Sequence, residues 1–171
     1  MRTFNYFLLV FLSLGVAGYA FVAYLFFPLG NLVHPYMKAV FQLHPVGIYL
    51  HIFFAALALF VGPFQFSNNI RQKYLALHRW SGRVYLSSVL VGGMSALYMA
   101  QFSYGGMVSH AGFGFLALAW LFTGYKAYRA IKSGDVPNHR RWMMRNYALT
   151  FAAVTLRAYL GIFSVSGVPF E

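Results

Sequence analysis

Apolar residues along this chain fall into five blocks rather than into short alternating or half-buried stripes. Tyr6–Phe27, Val46–Phe66, Val84–Phe102 and Met107–Tyr125 carry no charged residue, and Asn146–Val165 is interrupted only by Arg157. Each block is long enough to cross a hydrocarbon core of roughly 30 Å at about 1.5 Å of helix rise per residue. In lipid the backbone must satisfy its own hydrogen bonds, so apolar runs of this length predict helices. The expected fold is all-α, a bundle of five transmembrane helices forming a single domain over residues 1–171. Residues 1–45 supply the first span and an outer loop, with repeat units at 46–102 and 107–165.

Local signals punctuate the blocks. Pro45 suits the first turn of a helix, where its missing N–H costs nothing. Gly62-Pro63 predicts a kink near the end of the second span, Gly105-Gly106 a turn, and Ser133–Asn138 another turn cluster. Gly18-x-Ala20 imitates a signal-peptidase site, but the apolar run outlasts a 7–15-residue signal core and continues beyond it, which makes the first span an uncleaved anchor. Gly92, Gly93, Gly112 and Gly114 are expected to let helices approach closely.

Composition agrees with a membrane protein: 60% of residues are hydrophobic, and only 9% are charged, against about 25% in soluble domains. The net charge of +11 is distributed as a topology signal rather than as a nucleic-acid footprint. Arg71, Lys73, Arg79 and Arg83 flank one link; Lys126, Arg129, Lys132, Arg140, Arg141 and Arg145 flank another; the two remaining links hold only Lys38. Positive loops stay inside, so the N-terminus is expected in the cytoplasm, and the lipid bilayer is the chain's first partner. The chain has no cysteine, which excludes disulfides, iron–sulfur clusters, thiolate ligands and CxxCH haem attachment. With only Asp135 and Glu171 as acids, carboxylate-based hydrolysis and proton relays are excluded.

Superposed on the blocks is a repeat of histidines. His51 is followed 27 residues later by His78-Arg79, and His110 is followed 29 residues later by His139-Arg140. Phe54, Leu57, Ala58 and Leu59 recur as Phe113, Leu116, Ala117 and Leu118 at an offset of 59. HRW-x-x-R-x-Y (His78–Tyr85) returns as HRRW-x-x-R-x-Y (His139–Tyr147) with one residue inserted. Two hairpins of the same orientation, related about the membrane normal, place His51 and His110 at one depth and His78 and His139 at another. Two imidazoles donated from separate helices at equal depth are what a six-coordinate b-type haem requires.

The reading this supports is a transmembrane electron-transfer oxidoreductase carrying electrons between a quinol or other small reductant and an acceptor. His51 with His110, and His78 with His139, are its candidate ligands to haem b. Arg79, Arg140 and Arg157 are candidate counter-ions to propionates or substrate. Arg157 stands out because a charge inside an apolar block is costly and marks function; its expected partner is a bound anion, with a carbonyl, water or lipid phosphate as the alternatives. Two other readings stay open: a non-enzymatic scaffold or assembly factor whose His-Arg motifs fix topology, and an outer copper or zinc site built from His34, His44, His51 and His110. Trp80 and Trp142 suit headgroup anchors or packing against a planar ring.

The segments His78–Leu86 and His139–Thr150, with the following stretch to Arg157, resemble a bacterial family of multi-span membrane proteins catalogued as a domain of unknown function. The likeness runs from about His51 to Leu160 and implies a small inner-membrane protein without specifying an activity. The order His51, His78, His110, His139 also resembles the two-haem transmembrane cytochromes b, especially the ascorbate-reducible group. That resemblance implies haems shared between alternate helices, although this chain has five expected spans where that family typically has six.

Overall fold

The computed structural model describes residues 3–31, 33 and 35–166, and the described residues are helical with short connections. In chain order the helices are α1 (Thr3–Leu25), α2 (Pro35–Leu43), α3 (Pro45–Val61), α4 (Asn68–Lys73), α5 (Leu75–Ala100), α6 (Gly106–Lys132) and α7 (Val136–Val165). Three stretches are long and apolar enough to cross a membrane: Phe4–Leu25, Pro45–Phe66 and Gly106–Lys132. Helices α5 and α7 are 26 and 30 residues long, but they begin with the basic His-Arg segments.

Several boundaries follow from the local signals. Pro45 opens α3, and the chain tightens into a 3-10 turn over Gly62–Phe66 where Gly62-Pro63 falls. Asp135 caps α7 by accepting hydrogen bonds from the backbone and side-chain N–H groups of Asn138, at 3.0 and 2.6 Å; the side-chain bond comes first among the causes that hold its carboxyl below the usual range. Gly105, at φ 101°, begins α6. Two expectations change. The link between the first two apolar blocks contains α2, and the helix of the third block, α5, begins at Leu75 instead of Val84. Ser67 caps α4 and Tyr74 joins it directly to α5, so the helix starts well before the apolar block and encloses His78.

The packing is a closed arrangement. Helix α3 lies against α5, α5 against α6 and α6 against α7, while α7 returns to touch α3. In this four-helix square the diagonals are α3 with α6 and α5 with α7. Helix α1 covers the edge between α3 and α7.

Residue sizes explain why the square can close. Inward positions hold Ala17, Ala20, Ala56, Ala58 and Ala127 with Ser13 and Ser88, whereas Phe11, Met94 and Phe115 point outward at 63%, 58% and 71% exposure. Small residues inside and bulky apolar ones outside suit helix packing in lipid, where close backbone approach replaces the hydrophobic drive. Gly92 and Gly93 behave as expected, facing Phe54, Trp120 and Leu121. Gly112 and Gly114 do not: nothing lies within 4 Å of a side chain added there.

Gly62 has the strictest requirement. A methyl group there would run into the ring of Tyr147, which is buried and held by its hydroxyl. We expect Gly62→Ala to lower the unfolding temperature in detergent, at a cost of about 1–3 kcal/mol for overpacking. An unchanged melting curve would show that the ring can move aside.

Candidate functional site

The polar interior is concentrated around the two tyrosines of the repeated motif. Tyr85 on α5 donates its hydroxyl hydrogen to Asn146 Oδ1 on α7 at 2.7 Å, and Thr150 Oγ1 lies 2.9 Å away. Asn146 donates both amide hydrogens to α6, one to the Trp120 carbonyl at 2.7 Å and one to Thr123 Oγ1 at 2.8 Å. Trp120 Nε1 donates to Thr150 Oγ1 at 2.8 Å. Tyr147, the second motif tyrosine, turns the other way. Its hydroxyl meets Ser13 Oγ of α1 at 2.7 Å and donates to the Leu59 carbonyl of α3 at 3.4 Å. All five long helices are thereby tied to one buried layer. Asn146, Thr150, Trp120 and Ser13 were not singled out by sequence reasoning; Asn146 and Thr150 stand beside the motif tyrosine Tyr147 in the chain, whereas nothing in the sequence marks Trp120 or Ser13.

This layer fixes the inner histidines. His78 precedes Tyr85 by seven residues and His139 precedes Asn146 by seven, two helical turns and nearly the same helix face in each case. Because Tyr85 and Asn146 are in contact, His78 and His139 lie on mutually facing sides of α5 and α7, about 10 Å nearer the helix starts. His139 acts electrostatically on His78. His78 lies ahead of the apolar block; burial first, then Arg71, His139 and Arg79, hold its imidazole below the usual range. Its Nδ1 is buried and has no hydrogen-bond partner. His139 Nδ1 stands 2.9 Å from the Ala127 carbonyl of α6. A carbonyl only accepts, so Nδ1 carries the proton and Nε2 keeps a free lone pair.

The outer pair differs. His51 and His110 also lie on inward faces, two turns from the buried Ala58 and Ala117. His51 Nδ1 is 3.1 Å from the Gly92 carbonyl of α5, which leaves Nε2 open as in His139. In His110, however, Nε2 is 2.9 Å from the Ser103 carbonyl at the start of its own hairpin. The proton therefore sits on Nε2 and only Nδ1 is open. No interaction joins His51 to His110 among the described residues.

The arginines separate as well. Arg79 and Arg140 are exposed. Arg157 is partly buried, donates to its own helix at the Ala153 carbonyl (3.0 Å) and lies 5.9 Å from the Tyr19 ring. It is within electrostatic reach of His51 and Tyr24. Trp80 and Trp142 each lie under the arginine three residues on, Arg83 at 5.0 Å and Arg145 at 4.6 Å, which accounts for the W-x-x-R part of both motifs as a cation–π pair. His44 Nδ1 meets the Tyr98 hydroxyl at 2.8 Å, and its ring stacks on Phe102 at 4.0 Å. His34 lies outside the described residues, and among those described no group of three or more histidines or acids is placed to hold a metal ion.

An apolar exterior around small and hydrogen-bonded interior residues defines a helical membrane protein. The chain belongs to the family described as Predicted membrane protein (DUF2306), which matches residues 48–171. Neither the curated proteins nor the solved structures contain a match.

Proposed function

We propose that this protein is a small membrane cytochrome whose principal b-type haem site is the inner pair, His78 and His139. The carrying observation is the diagonal placement of these histidines together with the buried, unpartnered Nδ1 of His78. An orphaned buried nitrogen costs free energy unless something binds it, and iron held between the two imidazoles would do so. The donor set fits: the Ala127 carbonyl accepts from His139 Nδ1 and fixes its tautomer, as a carbonyl commonly does for a ligating histidine. A haem held there supplies one-electron chemistry, and the chain's own residues would orient the imidazoles and exclude water.

In this reading all five long helices cross the inner membrane with the N-terminus in the cytoplasm, and the two hairpins α3–α5 and α6–α7 form a duplicated pair. The outer pair, His51 and His110, would receive a second haem only if His110 turned its ring or ligated through Nδ1. Arg157 acts electrostatically on His51, and a quinol or other small reductant would exchange electrons with the bundle. Expressed with ample haem and purified, the protein is expected to show a Soret band that sharpens and shifts on reduction. Its absence would sink the proposal. The exposure of Arg79 and Arg140 favours a second reading, a non-enzymatic scaffold or assembly factor that docks through its basic face; that protein would bind no haem.

A further inference from the structure

The two copies of the W-x-x-R motif are not equivalent. Beside Trp80 there is one cation, Arg83 of the same helix. Beside Trp142 there are two: Arg145 of α7 at 4.6 Å and Lys126 of α6 with its Nζ at 5.6 Å from the ring. Lys126 has no counterpart in the first copy, where the residue at the offset of 59 is Ser67. Resting on one indole, the two positive charges stand roughly 10 Å apart or less, close enough to repel one another. Among the described residues the only acid is Asp135, and its carboxylate is engaged by Asn138. The indole N–H of Trp142 makes no hydrogen bond to any described residue.

Beneath these charges the surface is apolar. Phe115, Leu118 and Phe122 are exposed at 71%, 49% and 55% and follow one another along α6 at helical spacing toward Lys126. Phe122 meets Trp142 edge-on at 5.9 Å. An apolar stripe that ends in two cations and a free N–H donor matches a molecule with an acyl chain and an anionic head. We infer that Lys126, Trp142 and Arg145, at the inner ends of α6 and α7, bind the phosphate of an anionic phospholipid, with an acyl chain lying along Phe115–Phe122. Trp80 and Arg83 are an ordinary interfacial anchor. The inference is independent of haem, since none of these residues is a candidate ligand.

The test is native mass spectrometry and thermal unfolding of the full chain in neutral detergent, titrated with phosphatidylglycerol, phosphatidylcholine or inorganic phosphate. Phosphatidylglycerol alone is expected to remain bound and to raise the unfolding temperature. Lys126→Gln and Arg145→Gln should each weaken its binding about fivefold, near the value of one cation at an anionic surface. Arg83→Gln, equally exposed and equally basic, should leave binding unchanged. Equal losses in all three variants would reduce the effect to general surface charge and overturn the site. An equal rise in unfolding temperature with inorganic phosphate would assign the site to a free anion and overturn the lipid.

Discussion

Haem-replete protein carrying His78→Ala is expected to lose nearly all Soret absorption, and His139→Ala should do the same, whereas His110→Ala should keep most of it. The expectation rests on which nitrogen each ring leaves open. His139 gives Nδ1 to the Ala127 carbonyl and keeps Nε2; His78 has a buried nitrogen with no partner; His110 spends Nε2 on Ser103. A bis-imidazole centre that loses one ligand loses the geometry that holds iron six-coordinate. Absorption and pyridine-haemochrome content of the purified variants would measure the effect. If His51→Ala and His110→Ala emptied the protein while His78→Ala did not, the order of the two sites would be reversed.

Asn146→Leu is expected to be the most damaging conservative-volume change in the interior. Asn146 has no exposed surface and makes three bonds that tie α7 to α5 and α6. Leucine would leave the Tyr85 hydroxyl only its Thr150 contact and the Thr123 hydroxyl only its bonds to the Ala119 and Trp120 carbonyls, and would leave the Trp120 carbonyl with one bond fewer. Each hydrogen bond lost costs about 0.5–1.5 kcal/mol, although interhelical hydrogen bonds in membranes average nearer 0.6 kcal/mol. We expect a loss of about 1–3 kcal/mol in denaturant unfolding. Tyr85→Phe should cost less, and the double variant should cost less than the two added together, because both remove the same 2.7 Å bond. Strict additivity would mean that the bond contributes nothing. Because the layer also positions α5 against α7, Asn146→Leu should broaden any haem spectrum as well.

The helical class, the element ends at Pro45, Gly62-Pro63 and Gly105, and the importance of the repeated motif were all legible in the sequence, because each depends on covalent geometry or on the length of an apolar run. The outer helix α2 and the early start of α5 were not: both are amphipathic or basic segments whose helicity comes from docking and capping. The hydrogen bonding of the histidines was equally hidden. By sequence the outer pair sits deeper in its apolar blocks and looks the more committed. Only the hydrogen bonds show that His110 is turned to its own loop and that His78 is left without a partner.

Composition and pattern alone determined that this chain is helical and strongly apolar, that it has no cysteine and only two acids, and that four histidines and two Trp-Arg pairs recur. Those properties belong to residue types and to their periods, which the chain carries into any fold. The tertiary structure decided which helices stand diagonally, that Tyr85 meets Asn146 while Tyr147 meets Ser13, and that Lys126 joins Arg145 at one indole. These are distances between residues far apart in the chain, and they are set by how small side chains let the helices close on one another.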